Sequence, residues 1–579
     1  INIPRGSGGV KPPANSIGFW GAKPPTPTFP LHPARPLCII PRLNRGSFMP
    51  DYDFIIIGAG SAGCVLADRL SRSGKYQVAI VEAGGSDSHP YIKLPIGYGR
   101  TFFNPKINWK FTAQPDAGLA GRAAYWPRGK VLGGSSSINA LVYCRGLKHD
   151  FEDWAMPGWD WPAIQTAYRE IETRIAPDGT QSGTGPLHVT NVARRAHPIK
   201  ENYLAAGRAL GLPISDSFNG DAPEGLGLYE ITTKSGMRHS AAAAFLRPAL
   251  KRPNVTLIKN QLVDTLTFTG ARATGLKLAS GQTLTARREV ILSAGAIGSV
   301  QILQRAGIGP GATLQKLGIQ TRIDNSNVGG NLQDHLGINY YYKSTVPTLN
   351  NRLAPWWGKA LCGVQYLATR GGPLSLSVNQ CGGFVRAMPG SGPADTQLYF
   401  NPATYTTAPD GRREIINPDP FAGFLISFQP CRPQSRGRVD ISAPAPEAPP
   451  LINPNSLATD HDRAEVLAGA RLVQRLMATA PLQAITKAPL GPTPDQLDDA
   501  AILADFAQRG GTVFHPVATC RMAANAETGV TDARLRLFGA TGLRVVDASS
   551  MPNLTSGNTN APTIMLAWRA ADLILADQA

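Results

Sequence analysis

The chain has 579 residues, of which 42% are hydrophobic and 17% charged, with 61 glycines and 49 prolines; that is too long for one small domain and has the balance of a turn-rich globular α/β enzyme, not of a fibrous or disordered chain. A net charge of +17 raises nucleic acid or an acidic membrane as partners. However, six basic side chains (Arg5, Lys11, Lys23, Arg35, Arg42, Arg45) lie in the acid-free residues 1–48, and no Lys/Arg cluster interleaved with aromatics follows, which argues against nucleic-acid binding.

Residues 1–48 hold ten prolines and show no apolar periodicity, so they read as a disordered or non-native N-terminal extension, with Met49 as the natural start. Prolines interrupt PLCIIP, which removes the apolar core of a secretory signal, and no apolar run reaches the roughly eighteen residues of a membrane span. The seven cysteines are odd in number, dispersed and never in a C-x-x-C. That argues against a disulfide framework and structural zinc, leaves no metal site to expect, and suits a reducing, cytoplasmic setting.

After Met49 the run DFIIIG has the β-branched content of a buried parallel strand, and GAGSAG leads directly into CVLADRL at helical spacing. Gly58 permits the tight turn, Gly60 admits a pyrophosphate, Gly63 allows close strand–helix packing, and the helix N-terminus faces the phosphates. A second strand, QVAIV, ends at Glu82, 24 residues after Gly58, where a carboxylate accepts from a ribose 2′-hydroxyl and repels a 2′-phosphate. Strand, glycines, helix, strand and acid in this order predict a dinucleotide site but do not separate FAD from NAD.

Further along, WPRGKVLGGSSSINALVYCRG presents Gly133, Gly134, Ser135 and two more serines as a loop of exposed amides and hydroxyls suited to a flavin ring or phosphates. TARREVILSAGAIGS predicts a strand running into small residues. SLSVNQCGGFVR predicts a strand carrying Asn379 and Gln380, either of which is offered to a substrate. WAMPGWDWPAI and NNRLAPWWGKAL supply tryptophans for a cavity wall, a lid or ordinary packing. In GTVFHPVATC, His515 follows a strand-like TVF, with Pro516 restricting the backbone beside it. GLRVVDASSMP repeats the strand-end pattern at Asp547.

GAGSAG, VEAGG, GGSSSINA, SAGAIGSVQILQRAGIGP, VGGNLQDH, FHPVATC and GLRVVDASSMPNLTSGNTNAPT, taken together from about residue 51 to the end, resemble the glucose–methanol–choline (GMC) family of FAD oxidoreductases. The texture of WPRGK, GGSSSINA and SFQPCRPQSRGRV is similar to its choline-dehydrogenase-like alcohol dehydrogenase branch. The resemblance implies an α/β fold: a discontinuous Rossmann-like FAD-binding domain (49–150, 236–340 and 512–579) and a second, α+β substrate domain on an antiparallel sheet (151–235 and 341–511). It implies that Gly58, Gly60, Ser61, Ala62, Gly63, Glu82 and Ala83 hold the ADP half. Val131, Gly133, Gly134, Ser135, Asn139, Ala140, Leu141 and Val142 would lie along the flavin and ribityl chain, Val263 by the adenine, and Ala294, Asp547, Ala548 and Asn560 near the remaining phosphate and ribitol atoms. Relatives that attach FAD covalently do so through a histidine where Ile138 stands, so non-covalent FAD is expected. Val300 and Ala306 replace a proline and a serine common in relatives, without chemical consequence.

Oxidising an alcohol at a flavin requires hydride to leave the carbinol carbon for N5 while the hydroxyl proton goes to a base, and a neutral imidazole suits that task. The resemblance assigns the base to His515 and its partner to Asn558, 43 residues on; Asn560 is the neighbouring candidate, but counting back from TIMLAWRAAD puts Asn558 at the pair position. Because Asn558 cannot ionise, His515 is expected as the sole nearby base. His335 in LQDHLG reads as structural, bonding a cofactor-domain loop, and His239 as preceding a helix cap at Ser240. Cys144 and Cys381 read as small buried hydrophobes. The family's fatty-acid photodecarboxylases use a Cys/Arg pattern; Asn379 and Tyr399 stand there, with Cys381 two residues out of register. No aromatic or carboxylate cage for choline can be placed. The expected reaction is oxidation of a primary aliphatic or aryl alcohol to the aldehyde with electrons passed to a quinone-like acceptor, which would bring the enzyme to a membrane; O₂ with release of H₂O₂, or a lyase, is the alternative.

Overall fold

The structure, a computed structural model, describes residues 51–405 and 417–578; the extension expected over 1–48 lies outside the described residues. Strand Asp51–Ile57 alternates its side chains between two cores: Phe54 and Ile56 enter one, Ile55 and Ile57 the other. Parallel strands flank it on both sides, Val78–Glu82 and then Val255–Lys259 on one, Thr283–Leu292 on the other. Thr283–Leu292 serves two neighbours. Its first half pairs antiparallel with the hairpin Val263–Thr269/Arg272–Leu278, and its second half pairs parallel with Leu543–Val545. The chain thus returns to this seven-stranded sheet from its C-terminal end. Helices Ser61–Ser71 and Asn560–Ala576 cover one face, and Gly295–Arg305 the other.

A second sheet is antiparallel, in the order Thr486–Pro489, Leu336–Ser344, Gly423–Pro430, Thr396–Asn401, Cys381–Val385, Gly225–Leu228. Its period-two alternation divides labour between its faces. Ile338, Tyr340, Leu398, Phe400, Ile426 and Phe428 pack onto helices Lys200–Ala209, Asp460–Met477 and Asp499–Arg509. The opposite face carries Gln397, Tyr399, Asn401, Ser427 and Gln429. This is a Rossmann-like FAD-binding part with a substrate part on an antiparallel sheet.

Packing does not follow the expected boundaries at 150, 340 and 511. Phe151, Trp154, Trp159, Ile164 and Tyr168 share a core with Leu66 and Trp568. Val439 and Ile452, from the hairpin Arg438–Ile441/Pro450–Asn453, share the opposite core with Ile55, and the substrate-sheet strand Leu336–Ser344 already starts before residue 340. The indoles of Trp154 and Trp159 donate to the carbonyls of Asn553 and Ala533, so these tryptophans are anchors of the FAD-binding core. Among the described residues, no helix is long and apolar enough to cross a membrane and no three His, Cys, Asp or Glu side chains come together as a metal site.

Candidate active site

A cavity of about 830 Å³ runs from the C-terminal ends of the parallel strands to the polar face of the antiparallel sheet. One end is a backbone cradle. Gly58 turns at φ +101°, and a Cβ there would lie 2.5 Å from the Ser293 carbonyl; a Cβ on Gly63 would lie 1.8 Å from the Gly58 carbonyl, and one on Gly134 2.7 Å from the Gly60 Cα. Only glycine fits these three positions. No side chain caps helix Ser61–Ser71 at Gly60, which leaves its first-turn amides for a phosphate. Glu82 is buried, its carboxylate accepting from Ala59 N (2.9 Å) and Gly84 N (2.8 Å), and burial pushes its pKa up to about 7 against those two bonds. Asp547 is buried too, accepting from Gly295 N, the Ser299 hydroxyl and the amide and hydroxyl of Ser549. Ser61 donates to Asn560 at 2.8 Å, tying the starts of the first and last helices together.

Of the positions expected at the cofactor, Gly58, Gly60, Ser61, Ala62, Glu82, Ala83, Gly134, Ser135, Asn139, Ala140, Leu141, Val142, Val263, Ala294, Asp547, Ala548 and Asn560 line the cavity. Gly63 lies behind it, at the strand–helix contact its role required. Val131 and Gly133 depart from expectation. Val131 is buried with Ile92, Ile107 and Ile138, paired to Gly85, and Gly133 N donates to the Ala59 carbonyl, so both brace the loop instead of facing the cavity. Ile138, by contrast, is on the wall.

At the other end His515 and Asn558 meet, with Nε2 of the imidazole 3.0 Å from Nδ2 of the amide. The approach to His515 differs from the strand-like TVF. Pairing stops after Gly511–Thr512, and Phe514 turns into the left-handed region at φ +72°. Asp334 drives the turn, accepting from His515 N at 2.7 Å and from the Thr512 hydroxyl; burial raises its carboxyl to about 6. Arg128 donates to the Phe514 carbonyl at 2.5 Å and is held down to about 10 by desolvation.

His335 does bond the 512–579 part, its carbonyl accepting from Val513 N at 3.0 Å, but its ring reaches His515 itself. Its Nδ1 lies 3.0 Å from His515 Nδ1, and its Nε2 lies 2.9 Å from the Cys431 carbonyl. A carbonyl only accepts, so His335 carries its proton on Nε2 and accepts at Nδ1. His515 therefore carries its proton on Nδ1, and its Nε2 lone pair faces Asn558 and the cavity. Burial, then the neighbouring His335 and Arg128, holds His515 well below its ordinary pKa, and burial lowers His335 to about 4, so both are neutral. His515 is thus not the lone imidazole the sequence suggested.

The amide of Asn558 is oriented from its other end by the Tyr399 hydroxyl, 3.2 Å from Oδ1, with the Cys144 thiol 3.6 Å away. Asn379 lies on the wall and accepts from Asn401 Nδ2 at 2.8 Å. Gln380 corrects the expectation: it precedes the strand, which starts at Cys381, and its Oε1 accepts from His197 N at 2.7 Å, turning it away from the cavity. Cys381 is buried in the apolar core behind the sheet, away from this wall. Sequence reasoning did not reach Arg128, Asn401, Ser427 or Gln429, all on the wall. Asn401 Oδ1 and Gln429 Oε1 are buried without a partner, so they are acceptors available to a ligand. The available signal was the alternation of FLISFQ, which places Ser427 and Gln429 on one face.

Residues 52–337 match one model of the GMC oxidoreductase family and residues 433–567 another. The chain is 38% identical over 537 residues to an oxygen-dependent choline dehydrogenase of Vibrio vulnificus, covering 91% of this chain and 95% of that one. It is 36% identical over 535 residues to an alcohol dehydrogenase [acceptor] of Pseudomonas putida, covering 90% and 96%. The fold superposes on a pyridoxine 4-oxidase from Mesorbium loti with a TM-score of 0.80 at 29% identity, over 90% of this chain and 98% of that one.

Proposed function

The chain belongs to the GMC oxidoreductase family, as an alcohol- and choline-dehydrogenase-like FAD enzyme, and on that premise we propose that it oxidises a neutral primary alcohol, aliphatic or aryl, to the aldehyde and passes the electrons to a quinone-like acceptor. The observation that carries the chemistry is the chain Cys431 carbonyl–His335–His515–Asn558, which leaves an unprotonated Nε2 on the cavity wall.

The glycine cradle, Glu82 and the 134–142 loop would hold FAD without a covalent bond, and FAD would supply the two-electron oxidant. An alcohol hydroxyl entering between His515 and Asn558 gives its proton to Nε2 and accepts the Asn558 N–H on its oxygen. Tyr399 keeps the amide from flipping, so that N–H stays aimed at the developing alkoxide. His335 accepts from the Nδ1–H of the resulting imidazolium, 3.0 Å away, and so holds its ring in place. Arg128, charged at neutral pH, favours negative charge on the substrate oxygen and disfavours a proton on resting His515.

Support for a neutral substrate comes from the wall's carboxylates. Glu82 and Asp547 accept from the chain's own N–H and O–H groups, and Glu447 faces Arg305. Asp334, behind His515 and off the wall, is turned onto the His515 amide and the Thr512 hydroxyl. The relatives named for choline keep a quaternary ammonium among the substrates to test. In an anaerobic panel of primary alcohols and choline, a neutral alcohol is expected to bleach the yellow flavin, and slow recolouring in air, with fast recolouring on adding a quinone, is expected of a dehydrogenase. Bleaching by choline alone would overturn the neutral-substrate reading; rapid recolouring in air would make the enzyme an oxidase; no bleaching at all would remove alcohol oxidation.

A further inference from the structure

Soluble folds scatter their exposed apolar side chains, and a contiguous patch marks an interaction surface. Among the described residues ten large hydrophobic side chains are exposed, and five of them lie on one helix, Trp356–Thr369: Trp356 (80% exposed), Trp357, Leu361, Val364 and Leu367 (73%). The helix is inverted relative to a surface helix, which keeps its apolar stripe inward. Only Gly358, Cys362 and Tyr366, one turn apart, are buried. At its C-terminal end, Tyr366 donates to the Gly236 carbonyl, and the Lys234–Met237 turn adds a sixth exposed apolar residue, Met237.

Charge selects the occupant. From His335 to Ala394 the sequence contains no Asp or Glu, while Lys343, Arg352, Lys359, Arg370 and Arg386 are spread through it. Lys359 sits on the exposed helix, with Arg370 at its C-terminal cap, Arg352 just before it and Lys234 on the adjoining turn, all exposed. An apolar face led by two tryptophans and flanked by lysine and arginine, on a stretch of chain from His335 to Ala394 that has no acid, matches the headgroup–acyl boundary of an anionic bilayer. At 14 residues the helix is about 21 Å long, too short to span a core of roughly 30 Å, so it lies in the plane of the surface. Its buried Cys362 joins a cluster with Leu349, Leu353, Leu376 and Val378 that reaches Tyr98 and Leu141, both on the cavity wall.

We propose that the helix Trp356–Thr369 docks the enzyme onto anionic membrane surfaces by burying Trp356, Trp357, Leu361, Val364 and Leu367 among the lipid headgroups. This stands apart from the reaction assigned above and survives if that reaction is wrong.

The test is flotation of the full-length holoenzyme with vesicles of phosphatidylcholine alone and of phosphatidylcholine with phosphatidylglycerol, beside a Leu361→Glu/Leu367→Glu variant. Both substitutions are on solvent-exposed positions, so the variant is expected to keep its FAD and its turnover of any water-soluble substrate. The wild type is expected to float with the phosphatidylglycerol vesicles, less so in high salt, and the variant to lose partitioning by roughly tenfold or more. Wild type remaining at the bottom with both vesicles, or a variant floating like wild type, would overturn the proposal. So would a dimer in size-exclusion chromatography that the variant breaks while neither protein floats, which would make the helix a contact between copies.

Discussion

Replacing His335 with leucine removes the acceptor for the His515 Nδ1–H, 3.0 Å away, while filling a similar volume. A buried N–H left without a partner costs about 1–3 kcal/mol. In the resting enzyme His515 escapes that cost by moving its proton to Nε2, but this tautomer has no lone pair for the substrate proton. In the transition state the bond is charge-assisted, which makes it roughly twice as strong as a neutral one. A loss of about 1.5–3 kcal/mol of transition-state stabilisation follows, which is roughly 10- to 150-fold in rate. The assay is anaerobic stopped-flow reduction of the bound flavin by saturating alcohol. His335 is not on the cavity wall, so the effect is expected in the reduction rate with little change in apparent substrate affinity. His335→Asn places an amide oxygen near the Nδ1 position and is expected to recover most of the rate. Wild-type reduction in the leucine variant would refute the relay. Equal losses in both variants, with FAD content and melting temperature unchanged, would reduce His335 to a packing residue.

Asn558→Leu, which removes the N–H aimed at the substrate oxygen, is expected to slow flavin reduction by roughly 30- to 900-fold while FAD stays bound, since losing one oxyanion donor costs on the order of 2–4 kcal/mol; an unchanged rate would place the substrate oxygen elsewhere. Gly63→Ala drives a methyl group into the Gly58 carbonyl and is expected to yield apoprotein or unfolded chain, measured by the flavin-to-protein absorbance ratio; full flavin content would contradict the close contact. Buried Glu465, with Oε2 unpartnered, is pushed up to about 8 by burial and then by Asp395 and Asp462. Its folded pKa is above its unfolded value, so its contribution to stability is full below about pH 4.5 and is lost as pH rises through 8. Glu465→Gln is therefore expected to raise the melting temperature at pH 8 more than at pH 5, and the reverse order would contradict the shift.

Local physics made the nucleotide part legible in the sequence. Strand Asp51–Ile57, the glycine turn and helix Ser61–Ser71 are contiguous, and Gly63 answers a contact within that unit, whereas Gly58 also answers the distant Ser293 carbonyl. The His515/Asn558 pair was legible only through the family pattern, because nothing in GTVFHPVATC by itself distinguishes a base from a packed core histidine. The supporting groups were hidden by sequence distance: His335 reaches His515 across 180 residues and the Cys431 carbonyl across 96, and Arg128 reaches Phe514 across 386. Period two identifies strands but not which face of Thr396–Asn401 or Gly423–Pro430 meets a cofactor, and so Asn401 and Gln429 were missed. Gln380 failed for a related reason. Asn379 and Gln380 are neighbours ahead of the strand, so only one of them faces the cavity, and Gln380 turns to the backbone of His197.

The central claim is that His515 takes the substrate proton, and the most direct measurement is the rate of anaerobic flavin reduction in His515→Ala. The variant is expected to retain FAD, because His515 lies at the substrate end and not in the glycine cradle, and to be reduced at least about 100-fold more slowly, as for loss of a general base. A flavin-loaded variant reduced at the wild-type rate would contradict the account.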